Sequence, residues 1–95
     1  MSTPVYNLPS PPPAAWTATP DANHHWENAL WMQALGSKAV DSYLAGKRRG
    51  LSEGALQKRW QAVKHTRALF EATLARLTDL TGVSAAPSAL GGTHV

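Results

Sequence analysis

The sequence predicts an all-α protein, a helical hairpin with an extended proline-rich N-terminal arm. Two segments carry apolar residues at helical spacing and are bounded by helix-capping residues, no segment alternates as a strand would, and six of the seven prolines lie in the first 20 residues. We therefore divide the chain into an arm (1–19), a helical hairpin domain (20–82) and a flexible C-terminal tail (83–95) rich in Ala, Ser and Gly.

The arm is predicted to be extended and partly polyproline II, because each proline fixes φ and removes a backbone donor. It nevertheless contains Tyr6 and Trp16, and disordered segments are usually poor in aromatic residues. Two interpretations stay open. The arm is either a disordered tail or a segment that docks in a groove of a partner or of its own domain.

The first helix is predicted to begin after Thr19, which can cap it, with Pro20 at the first helical position. It is predicted to continue to Ala45, with Gly46 as the C-terminal stop. Gly36-Ser37 in its middle predicts a kink or a short interruption.

Apolar residues cover so wide an arc of the first helix that it should pack on two neighbours. Trp26 and Trp31 are five positions apart and cannot both face the same neighbour. At least one of them should meet the arm or another chain, since tryptophan is a favoured interface anchor.

The second helix is predicted to begin after Ser52 as the cap, and to end at Gly82. A heptad-like seam runs along it, interrupted only by Arg67, and comprises Leu56, Trp60, Val63, Phe70, Leu74 and Leu77. A core segment of about 60 residues is marginal alone. A third surface is therefore expected from the arm, a second copy or a larger assembly.

No catalytic or metal-binding motif is present, so we predict a protein that is not an enzyme and has no cofactor. His24 and His25 are adjacent and would point about 100° apart on a helix, which does not form a chelating pair. The six acidic residues are spread along the chain. There is no cysteine and no apolar run long enough to cross a membrane.

Seven cations fall within 21 residues that contain one acid, Glu53; the cations are Lys47, Arg48, Arg49, Lys58, Arg59, Lys64 and Arg67. The first three are predicted to lie in the connection between the helices, and Lys58 and Lys64 to flank the seam. Three interpretations remain: a phosphate-binding surface, a surface for an acidic protein partner, or a solvated corner.

The segments "YLAGKRRG" (Tyr43 to Gly50) and "LARLTDLTG" (Leu74 to Gly82) frame a helix–basic turn–helix pattern over about half the chain. In this pattern the chain resembles small helical virion proteins of tailed bacteriophages that act at the head–tail junction. The resemblance implies a non-enzymatic assembly role with many copies docked on a ring.

Our leading hypothesis is a structural or adaptor protein that binds other protein chains, as a homo-oligomer or in a larger assembly, in the cytoplasm or in a virion. The expected contacts are the seam, the arm through Tyr6 and Trp16, and the helix tryptophans Trp26 and Trp31. The alternatives are a small nucleic-acid-binding accessory protein that uses Lys47, Arg48, Arg49, Lys58 and Lys64, and an inhibitor or regulator of a host enzyme.

Overall fold

The computed structural model describes residues 6–84, which form an antiparallel helical hairpin covered on one side by the arm. A 3-10 helix (Ala14–Thr17) ends the arm, and two α-helices follow, α1 (Pro20–Arg48) and α2 (Glu53–Thr81). The described residues contain no strand. The predicted all-α helical hairpin is confirmed.

Three of the predicted helix termini are confirmed by their capping contacts. The Thr19 hydroxyl accepts a hydrogen bond from the Ala22 amide at 3.2 Å, and the Ser52 hydroxyl accepts one from the Ala55 amide at 3.3 Å. Gly82 ends α2 in the left-handed conformation, with φ 72°. The Thr19 and Ser52 side chains satisfy amide groups that have no partner within the helix.

The end of α1 differs from the prediction. The helix passes through Gly46 and continues to Arg48, and the turn is made by Gly50, whose φ is 71°. Lys47 and Arg48 therefore belong to the last helical turn, with Arg49 as its C-cap, and do not lie in the connection. Their positive charges face the negative end of the helix dipole, which is stabilising there.

Gly46 is buried because the start of α2 packs directly on its backbone. A Cβ at this position would stand 3.1 to 3.2 Å from side-chain atoms of Leu51, Leu56 and Arg59. Gly46 therefore allows the two helices to approach closely and does not end α1. These two roles of glycine look alike in a sequence.

Of the predicted kink or short interruption at Gly36-Ser37, the interruption does not occur, because α1 is helical through both residues. Gly36 is buried and receives the ring of Tyr6 from the arm, which occupies the space that a side chain at position 36 would fill. Because Gly36 has no side chain, the surface of α1 has a notch at this position, and the Tyr6 ring lies in it.

The arm docks on its own hairpin, which decides between the two interpretations of this segment. Tyr6 is 5% exposed and Trp16 is completely buried. The Tyr6 hydroxyl donates to the Val63 carbonyl at 3.1 Å, and its ring meets Phe70 edge-on with a centroid separation of 5.3 Å. The Gln33 amide donates to the Tyr6 carbonyl at 2.8 Å. Tyr6 therefore connects α1 and α2.

Trp16 closes the other end of the hairpin, where α1 begins and α2 ends. It forms a fully buried cluster with Ala22, Ala29 and Leu77, and its indole N–H donates to the Val83 carbonyl at 2.8 Å. Truncation of a buried tryptophan typically costs about 3–5 kcal/mol, so the arm contributes a large share of the stability of a domain this small.

Gly36→Ala tests the docking of Tyr6. Alanine is favoured over glycine by about 1 kcal/mol in a helix, yet here its methyl group would collide with the Tyr6 ring, so we expect a net loss of about 1–3 kcal/mol in the free energy of unfolding. Gly54→Ala, on an open surface of α2, is the matched control and should be neutral or stabilising. Urea denaturation measures both.

The same substitution should change sign in a Tyr6→Ala background, because the colliding ring is then absent. We expect Gly36→Ala to stabilise that variant by up to about 1 kcal/mol. An effect of Gly36→Ala that is identical with and without the tyrosine would show that the ring does not sit in the notch.

Candidate functional site

Five of the ten residues expected to contact another chain are instead buried within this one. They are Tyr6, Trp16, Val63, Phe70 and Leu77. We correct the expectation for these five: the arm supplies the third surface that the two helices lack, so their side chains pack on one another and are not available to a partner.

The two tryptophans of α1 have different surroundings, as their spacing predicts. Trp26 is half-buried and packs on Trp16 of the arm, with ring centroids 5.9 Å apart. Trp31 is 61% exposed, and its neighbour Leu30 is 42% exposed. On α2, Leu69 and Leu80 are also exposed, whereas Leu56 and Leu74 are half-buried.

Two of the seven clustered cations have structural roles. Arg59 donates from Nη1 to the carbonyl and the hydroxyl of Ser42, at 2.8 and 3.0 Å, and so ties α2 to α1. Arg67 pairs with Glu71 at 3.0 Å, and its guanidinium lies over the rings of Tyr6 and Phe70. An arginine within the apolar seam is thus explained by the aromatic pair that it covers.

The other five cations are exposed at the turn end of the hairpin. We call this surface the basic end; it consists of Lys47, Arg48, Arg49, Lys58 and Lys64. None of the five makes a salt bridge with any residue in 6–84. Residues 38–64 hold seven of the nine cations and two of the six acids, so the basic end is positive and the opposite end of the hairpin is acidic.

A depression of about 330 Å³ lies beside the basic end. We call it the aromatic cleft; it is lined by Tyr43, Glu53, Leu56, Gln57, Trp60 and Lys64. The Tyr43 and Trp60 rings are half-buried, with centroids 5.1 Å apart and planes tilted by 51°. The Lys47 ammonium lies 5.7 Å from the centre of the Tyr43 ring.

Sequence reasoning assigned Trp60 to the helix seam and missed Tyr43, Glu53 and Gln57 as cleft residues. A signal for four of the lining residues was present: Glu53, Gln57, Trp60 and Lys64 follow one another at steps of four, three and four, which places them on one face of α2. The partner ring from α1 depends on helix pairing, which the spacing does not specify.

A second, more open depression of about 430 Å³ lies at the other end of the hairpin. It is lined by Ala15, Ala18, Thr19, Asp21, Leu80 and Thr81. Its lining is mostly small or apolar, and the Asp21 carboxylate lies in the first turn of α1, where the helix dipole favours a negative charge. In this depression the exposed Leu80 of α2 lies beside Ala15 and Ala18 of the arm.

Two further properties concern the described part of the chain. Nowhere in residues 6–84 do three or more His, Asp or Glu side chains gather as ligands for a metal ion. The described helices also include none with the length and apolarity needed to span a bilayer.

Comparison with known protein families, curated proteins and solved structures finds no significant match to this chain.

The structural cations and the exposed cations of the basic end should respond differently to neutralisation. Arg67→Gln removes the guanidinium from two aromatic rings and should lower the free energy of unfolding by about 1–2 kcal/mol. Lys58→Gln and Lys64→Gln should change it by no more than about 0.5 kcal/mol, as is usual at exposed sites. Thermal or urea denaturation compares the three; equal losses would contradict the assignment.

Proposed function

We propose that this chain is a non-enzymatic structural or adaptor protein that binds other protein chains and works as repeated copies in an assembly. A virion of a tailed bacteriophage, at the head–tail junction, is the assembly that the sequence resemblance favours. The hairpin with its docked arm would be a rigid unit that presents side chains to its neighbours.

The exposure of Trp31 carries this proposal. Trp16 is buried, and Trp26 and Trp60 are half-buried, whereas Trp31 has 61% of its surface in solvent on a continuous helix. Tryptophan is enriched among the residues that dominate protein–protein binding energies. With Leu30 beside it, Trp31 provides an apolar anchor that needs no rearrangement of the fold to be used.

The distribution of charge supports association between copies. The basic end is positive, while four of the six acids lie outside residues 38–64, namely Asp21, Glu27, Glu71 and Asp79. Opposite charges at the two ends favour contact between the basic end of one copy and the acidic end of another. Glu27 lies one helical turn from Trp31, so the anchor and part of the acidic surface are adjacent.

Trp31→Ser tests this function in the full chain. We expect the native protein to self-associate in sedimentation velocity as its concentration rises. Trp31→Ser should weaken association by at least about tenfold, and Trp31→Phe should retain most of it. Because Trp31 is exposed, neither variant should change the unfolding transition appreciably. A monomer at every concentration, or association unchanged in Trp31→Ser, would contradict the proposal.

A second function is favoured by a separate observation, the five exposed cations of the basic end, none of which forms a salt bridge within residues 6–84. We propose as this alternative a nucleic-acid-binding accessory protein. Clustered cations bind phosphates and release counterions, so the affinity falls steeply with salt. Arg48→Gln with Arg49→Gln should weaken binding to a labelled oligonucleotide and flatten the salt dependence. Undetectable binding at low salt would eliminate this function.

A further inference from the structure

The aromatic cleft combines features that neither a helix packing core nor a solvated corner requires. In the core of this protein, aromatic rings are covered, as Tyr6, Trp16 and Phe70 are. In the cleft, Tyr43 and Trp60 keep part of their surface open at the wall of a depression. Three polar or charged side chains, Glu53, Gln57 and Lys64, share that wall with them.

These features match the chemistry of an unpaired nucleotide. A nucleobase stacks on aromatic faces, and stacking is tolerant of sequence because every base has a π-face. The phosphates beside the base are anionic, and Lys64 lines the cleft while Lys47 lies over the Tyr43 ring. The other cations of the basic end, Arg48, Arg49 and Lys58, extend the positive surface beyond the cleft along the backbone of a strand.

Glu53 distinguishes this ligand from an acidic peptide. A carboxylate at the wall of a cleft repels every anion beside it, the Asp and Glu side chains of such a peptide and the phosphates of a strand alike, so only the neutral base of a strand can face Glu53 while its phosphates lie at the cations. The same carboxylate accepts hydrogen bonds from the amino groups of nucleobases, and the amide of Gln57 both donates and accepts. A cleft that contains both an acid and cations therefore favours a ligand that has hydrogen-bond donors on its bases and phosphates in its backbone.

The size of the cleft favours an unpaired base over a duplex. Its volume of about 330 Å³ is at the lower end of the range of about 300–1,000 Å³ for small-molecule sites, so it accepts a small planar group. Bases within a duplex are stacked on one another and cannot present their faces to a protein ring. Duplexes would contact only the outer cations.

We propose that the aromatic cleft binds single-stranded nucleic acid, with one base against Trp60 and Tyr43 and the neighbouring phosphates at Lys47 and Lys64. This inference rests on the second function proposed above, and it adds the strand type and the site. Glu53 and Gln57 receive the edge of the bound base, and the remaining cations hold the strand on either side.

The test titrates the full chain at low salt with a short single-stranded oligothymidine and a mixed-sequence single strand. A duplex of equal length and polyglutamate of matched charge are the comparison ligands. Tryptophan fluorescence reports stacking, and the anisotropy of a labelled strand reports affinity. We expect both single strands to quench the fluorescence, the duplex to bind with little quenching, and polyglutamate to bind at least about tenfold more weakly.

Substitutions then locate the site. Trp60→Phe keeps an aromatic surface, so the affinity should stay within about threefold while the quenching is lost. Lys64→Gln should weaken binding several-fold and lower the slope of log K against log salt by about 0.7, the value for one phosphate of a single strand. Lys38→Gln, an exposed cation of α1 outside the cleft, is the matched control and should change neither quantity.

Three results would overturn the inference, and they distinguish its failure from that of the function it rests on. Salt-dependent strand binding with quenching unchanged in Trp60→Phe would remove the cleft but leave the basic end as a nucleic-acid surface. Tighter binding of polyglutamate than of the strands would assign the cleft to an acidic peptide. No binding of any strand at low salt would remove both the cleft and the nucleic-acid function.

Discussion

The contact between the Tyr6 ring and the notch at Gly36 is the constraint on which the rest of this structure depends. Two helices facing each other bury one side each, and a hairpin of about 60 residues has little core of its own. Tyr6 reaches both helices, through the notch on α1 and the Val63 carbonyl on α2. The arm thereby becomes a third layer of the domain.

This docking also determines which side chains remain for function. Tyr6, Phe70 and Arg67 form one cluster of contacts, and Trp16 closes the open end, so this part of the α2 seam is covered. What stays in solvent lies at the margins of that core. Trp31 on α1 and the basic end with its aromatic cleft are among the surfaces that the described part of a single copy leaves uncovered.

Local chemistry made part of the fold predictable. Thr19, Ser52 and Gly82 bound helices as their capping preferences indicate, because a cap depends on residues within one turn of it. The roles of Gly36 and Gly46 were not predictable in this way. A glycine that receives a ring or a neighbouring helix is identified only by what packs on it, and those partners are distant in sequence or belong to another element.

The candidate site was predictable to a similar degree. The five cations of the basic end were identified from their clustering, and the structure leaves all five exposed. To distinguish them from Arg59 and Arg67 required the hydrogen bonds of Arg59 to Ser42 and the contact of Arg67 with the Tyr6 ring, which connect residues of different elements. The cleft was missed because one of its two rings comes from each helix, and helical periodicity describes one helix at a time.

The most direct test of this account compares the unfolding of the full chain with that of a chain beginning at Thr19. If the arm is a layer of the core, the shortened chain should lose its cooperative urea transition, and the amides of α1 and α2 should lose their protection from hydrogen exchange. A transition with the same midpoint and slope as that of the full chain would show that the hairpin is stable without the arm, and would contradict the account.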